Sequence, residues 1–156
     1  MILALFALLL AIVGGIAFFQ KGDWKNIPIP FTKTPTATID NQKFTLLVAK
    51  SAKEKEVGLS DKTSLPQDTG MLFHFEQPDY YSFWMKNMKI PIDIVYINKN
   101  HIVTIFQNAQ PPKSDQEALT IFKPEEPADT VLEINAGLSQ KYNFKKGDGV
   151  KIENLQ

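Results

Sequence analysis

The chain has no cysteine among its 156 residues, which removes disulfides, thiol nucleophiles and thiolate metal sites in one step. It has no arginine either. All 17 basic residues are lysine, a pattern that a genome-wide compositional bias explains more simply than a functional choice. Only two histidines occur, His74 and His101, too few and too far apart to predict a zinc site. An excess of charge of one sign is also missing. The 17 acidic residues balance the lysines, the charges are interspersed without a basic stripe, and nucleic acid is not expected as a partner. No phosphate-binding loop, positioned nucleophile or metal motif is present, so neither cofactor nor metal is expected.

What the chain does have begins at its start. Residues 2 to 19, ILALFALLLAIVGGIAFF, carry no charge, and a helix of that length rises about 27 Å, close to the hydrocarbon thickness of a bilayer. The amino terminus supplies the one early positive charge, and the best small-x-small cleavage site is Gly15-x-Ala17. An uncleaved anchor over 1–20 is therefore favoured over a signal peptide. Lys21, Lys25 and Lys33 follow the run and alone would keep the domain in the cytoplasm, although Asp23 dilutes them. Residues 21–35, with Pro28, Pro30 and Pro35, read as a stiff extended linker.

From residue 36 onward the pattern turns to strands, and 36–156 reads as one mainly β domain. TATID and KFTLLVA flank a turn at Asn41-Gln42 and predict a hairpin. Ser51-Ala-Lys-Glu54 is a capping box opening a short helix that Gly58 can close. NKN at 98–100 predicts a turn between antiparallel strands at 92–97 and 102–107. Residues 110–130 hold four prolines and read as a long surface loop. VLEI resumes as a strand, AGLSQKYN allows a helical turn, and KKGDGVKIEN gives a turn and a closing strand.

The centre of interest is FWMKNMKIPIDIVYI, residues 83–97, where Lys86, Asn87 and Asp93 interrupt an apolar run and must each find a partner. Together with Gly58-Leu59, LPQDTGMLF at 65–73, Ala109 with Pro111, Pro127-Ala128 before VLEINAG, and Gly147-Asp148, this stretch resembles domain-of-unknown-function family 192. The resemblance spans about 120 residues, from near Thr36 to Ile152. It implies a small β-sandwich or barrel-like domain, often behind an export signal or anchor, and no established activity. Lys62 stands near where that family usually has an arginine, and Met88 where it has a threonine. The lysine keeps the charge without the bidentate fork.

Strand alternation puts Ile90, Ile92, Ile94 and Tyr96 on one face and Asp93, Val95 and Ile97 on the other, while Glu133 alternates with Leu132 and Ile134. Three readings follow. In the plainest, Lys86 pairs with Asp93 or Glu133, and Asn87 or Asp93 bonds backbone near Pro91, with buried charge tolerated because it is paired. In the second, Trp84, Lys86, Asn87, Asp93 and Glu133 line a cleft for a polar ligand, a saccharide or a peptide, with Tyr80 and Tyr81 beside Trp84 as amphipathic surface. In the third, Asp93 and Glu133 are the acid and base of a hydrolase. His74 reads as a partly exposed strand residue rather than a base. The expectation overall is a membrane-tethered module of the cell envelope, its domain outside the cytoplasm, that binds rather than catalyses.

Overall fold

The computed structural model describes residues 33–114 and 117–155. The predicted anchor at 1–20 and nearly all of the linker lie outside them. Among the described residues, no helix is long and apolar enough to cross a membrane.

Within the described residues, nine strands and two short helices follow in the order β1 (Thr36–Ile39), β2 (Gln42–Ala49), α1 (Ala52–Val57), β3 (Thr69–Asp79), β4 (Phe83–Trp84), β5 (Ile92–Asn98), β6 (His101–Ala109), β7 (Ile121–Phe122), β8 (Ala128–Asn135), α2 (Leu138–Lys141) and β9 (Val150–Glu153). Seven of the strands form one sheet in the order β6-β5-β8-β3-β2-β1-β9, and β4 pairs with β7 in a separate ribbon. The expected hairpins form. β5 pairs antiparallel with β6 across Lys99 and Asn100, both at positive φ, the geometry a tight two-residue hairpin requires. β1 pairs with β2, Ile39 opposite Gln42, so the turn is Asp40-Asn41, one residue earlier than the sequence pattern suggests. Asp40 takes the left-handed conformation there, which its short polar side chain tolerates.

Two features depart from the sequence reading. β2 and β3 run parallel, joined by a crossover that carries α1. The 110–130 segment is not wholly irregular, because Ile121 and Phe122 pair with Trp84 and Phe83. Strands of two residues carry no periodicity from which to predict them.

Of the two forms expected, sandwich or barrel-like, the domain takes the second: its seven-stranded sheet curls into a half-barrel. Its two edges meet at one end, where His101 bridges Gly149, Gly147 N–H donates to Ile102 O at 2.8 Å and Val150 N–H to Asn100 O at 2.8 Å. The concave side holds a core drawn from both edges and the middle, including Ala37, Phe44, Leu72, Val95, Ile102, Leu132, Ile134 and Val150. A second core, with Phe73, Ile94, Tyr96 and Val131, lies on the convex side. There Leu59, Leu65 and Met85, with Phe83 and Phe122 of the ribbon, cover it. Both faces are apolar, which is why β5 reads as an almost unbroken hydrophobic run.

Gly70 lies on the central strand β3, where β8 approaches its backbone closely. A Cβ there would stand 2.8 Å from Leu132 Cδ1 and 3.0 Å from the backbone oxygen of Glu133. The oxygen cannot rotate away as a side chain can. Gly70→Ala should therefore push β8 from β3 and lower stability by about 1–3 kcal/mol, read from urea denaturation; an unchanged midpoint would show that the close approach is not needed.

Candidate functional site

Cross-strand register determines which polar groups can meet. Met71 and Ile94 stand opposite Glu133 on either side, so these three share the convex face. Asp93 stands opposite Ile134 and belongs to the concave face. The two carboxylates are thus on opposite sides of the sheet and cannot act on one substrate.

Asp93 is fully buried, and both its oxygens are engaged. Oδ1 accepts from Asn108 N–H at 2.7 Å and Gly137 N–H at 3.0 Å, and Oδ2 accepts from Ser139 N–H at 2.8 Å. It ties β5 to the end of β6 and to the first turn of α2. The partners are backbone, as one branch of the plain reading has it, but they lie at Asn108 and α2 rather than near Pro91.

Glu133 differs in every respect. It is only 5% exposed, its Oε2 has no hydrogen-bond partner among the described residues, and burial pushes its pKa up to about 8. Tyr96, on the same face, has its hydroxyl pushed upward by burial and by the Glu133 charge. That hydroxyl donates to Phe122 O at 2.8 Å rather than to the carboxylate.

Above Glu133 opens a cleft of about 300 Å³. Its first wall is α1. The Ser51 side chain accepts from Glu54 N–H at 3.2 Å and Glu54 Oε2 accepts from Ser51 N–H at 2.7 Å, the reciprocal cap expected from the sequence. The bonds that the Glu54 carboxyl accepts from Ser51 N–H and Oγ–H, and from Lys50 N–H, hold it below its ordinary pKa. The helix ends at Gly58, with φ 53° and ψ −131°, and Ser60 N–H returns to Val57 O at 3.1 Å. This is a type II′ turn, whose first central position favours glycine. Its consequence is proximity, since a Cβ on Gly58 would lie 3.9 Å from Glu133 Oε2.

The opposite wall is aromatic. Phe73 meets Phe83 edge to face at 5.0 Å, and Phe75 stacks on Tyr81 at 3.7 Å. Lys55 Nζ sits 4.3 Å from the centre of the Phe75 ring and donates to His74 O at 2.6 Å. Phe75 falls where the pairing of β3 with β8 is irregular, between His74 and its resumption at Asp79 opposite Ala128.

Of the residues singled out from sequence, Trp84, Lys86 and Glu133 line this cleft, with Trp84 46% exposed at its rim. Asn87 and Asp93 do not. Asn87 has φ 60° as the third residue of a turn closed by Met88 N–H to Met85 O at 3.1 Å, a position that favours glycine or asparagine. Among the described residues no ion pair joins Lys86 to Asp93 or Glu133. Tyr81 lines the cleft, whereas Tyr80 stands outside it beneath Lys123. His74 is exposed and bonds Thr130 Oγ1 at 3.1 Å. Sequence reasoning did not assign Lys55, Gly58 and Met88 to a site. For Gly58 the signal was available, as a helix-ending glycine within a motif shared with the resembled family.

Relatives with solved structures share this fold. A crystal structure of a protein of unknown function from Novosphingobium aromaticivorans DSM 12444 matches with a TM-score of 0.66 and 32% identity, over 76% of this chain and 83% of that one. A second, described as a candidate transcription regulator from Sinorhizobium meliloti 1021, matches with a TM-score of 0.67 and 30% identity, over 78% of this chain and 93% of that one. No curated protein matches the chain. The model of the family described as Uncharacterized ACR, DUF192, covers residues 35–152, and the chain belongs to that family.

Proposed function

We propose that the domain is a non-catalytic binding module that takes a polar ligand, a saccharide or a peptide, into the cleft above Glu133. The observation that carries this reading is the unpartnered Glu133 carboxyl at the floor of an aromatic-walled cleft. A buried polar group without a partner is costly, and a concave apolar site with a few convergent polar groups is the usual form of a ligand pocket. Trp84 offers a half-exposed ring at the rim for stacking. The hydrolase alternative required Asp93 beside Glu133, and the register separates them. The N-terminal apolar run would hold the module at the membrane, with the domain outside the cytoplasm.

Thermal unfolding of the full chain against cell-envelope saccharides and peptides tests the proposal. A true ligand at about 100 times its Kd should raise Tm by roughly 5–10 °C, and Trp84→Ala should abolish the rise without changing the unliganded Tm by more than a few degrees. If nothing in the library shifts Tm, or if Trp84→Ala leaves the rise intact, the cleft is not the binding site. Protease treatment of intact cells tests sidedness separately: protection of the domain would place it in the cytoplasm.

A further inference from the structure

Three features of the cleft act in one direction. Glu133 presents a carboxyl that no described donor satisfies. The walls beside it are lined by the rings of Phe73, Phe75, Phe83 and Trp84. One of those rings already carries an ammonium, since Lys55 Nζ lies over Phe75 and is held there by His74 O. Aromatic faces are the negative ends of ring quadrupoles and attract cations, more strongly when water is excluded. A carboxylate beneath such faces gives a cation both a counter-ion and a cage.

We propose that the group this cleft accepts at its floor is the protonated amine of a ligand with an apolar or ring-shaped body. The inference rests on the reading of the cleft as a binding site and names the ligand's chemistry.

A neutral hydroxyl would make a single hydrogen bond to Glu133 and draw little from the rings, whereas an ammonium uses both. The charged groups facing the site are few. Lys55 and Glu56 come from α1, Lys86 from the turn after β4 and Tyr81 from the segment before β4, while Tyr96 of β5 shares the face of Glu133 with its hydroxyl turned to Phe122 O. Lys55 is engaged, and Lys86 and Glu56 are exposed, where solvent and salt screen their effect on the floor.

Because burial keeps Glu133 protonated near neutrality, an ammonium ligand must displace its proton. Binding strengthens as pH rises toward 8 and releases a proton into solution. A hydroxyl ligand that accepts the Glu133 proton would bind more weakly above pH 8 and release none.

The test uses cyclohexylamine and cyclohexanol, the same ring bearing ammonium or hydroxyl, titrated calorimetrically into the full chain. Cyclohexylamine keeps its proton below about pH 10, like a lysine side chain. It should bind in a 1:1 ratio, with affinity rising about tenfold per unit between pH 6 and 7 and close to one proton released, read from buffers of different ionisation heat. Glu133→Gln should abolish the pH dependence and the release. Because the release is measured on the wild-type chain, it does not depend on any variant folding. If cyclohexanol binds as tightly, or if the amine binds without proton release, the ammonium assignment falls while the cleft remains a binding site. If neither probe binds and no saccharide or peptide raises Tm, both readings fall together.

Discussion

Asp93→Ala lowers the free energy of unfolding by on the order of 3–5 kcal/mol, because it leaves one buried and two partly buried N–H groups without an acceptor, each at a cost of up to about 1–3 kcal/mol. That is a large part of the roughly 5–15 kcal/mol by which a domain is stable. The three donors, from Asn108, Gly137 and Ser139, come from two separate parts of the chain. Two of them belong to the start of α2, where Gly137 has no side chain with which to cap the helix. Asp93 therefore caps that helix from a neighbouring strand, satisfying donors that the helix itself leaves open. Asn108 sits at φ 54°, and its bond to Asp93 also holds that left-handed residue. Asp93→Asn keeps one carbonyl oxygen for Asn108 and Gly137 but faces an amide toward Ser139 or its neighbours, so its loss should fall between wild type and alanine. Urea denaturation followed by circular dichroism reads the series, and an alanine variant within about 1 kcal/mol of wild type would mean that water replaces the carboxylate without loss.

Wild-type stability falls as pH rises from about 4.5 to about 8, and Glu133→Gln removes most of that slope. The sign follows from where protons are bound. Unfolded, Glu133 ionises near the ordinary glutamate value of 4.5, whereas in the folded protein burial holds it protonated to about 8. Between these values the folded state binds more protons than the unfolded one, so stability declines with pH by up to about 1.4 kcal/mol per unit. The stabilising contribution is complete below the unfolded value and is lost once pH passes the folded one. Across the window the change is of the order of a few kcal/mol. Chemical denaturation at half-unit steps from pH 4.5 to 8.5 provides the measurement. A wild-type profile parallel to that of Glu133→Gln would show that Glu133 titrates as an ordinary solvated carboxyl.

The local parts of this fold were legible in sequence. The capping box at Ser51 and Glu54, the turn at 98–100 and the alternation through β5 and β8 each depend on residues a few positions apart, and each forms as expected. The parallel pairing of β2 with β3 was not legible, because nothing within either strand records which neighbour it will meet. The β4–β7 ribbon joins two residues to two others across almost 40 positions of chain. For the site, alternation correctly separated Asp93 from the isoleucine side of β5, and it placed Glu133 opposite Leu132. It did not say that both faces would be buried, so it left open whether the two acids meet. Asn87 looked like a ligand-binding side chain because asparagine is polar. Its actual role is conformational, and only its φ reveals that.

The position of β1 has a consequence for how the chain reaches this structure. β1 lies between β2, its immediate successor, and β9, the last strand, with Thr36 paired to Glu153 and Ile39 to Val150. The first strand of the domain therefore keeps one side unpaired until β9 has emerged from synthesis. Contacts so far apart in sequence are slow to form, because the whole intervening loop must be closed first. Until then β1 exposes a free strand edge, the kind of surface that recruits other chains. Completing the sheet late places the greatest hazard of misassembly in the interval between synthesis of β1 and arrival of β9.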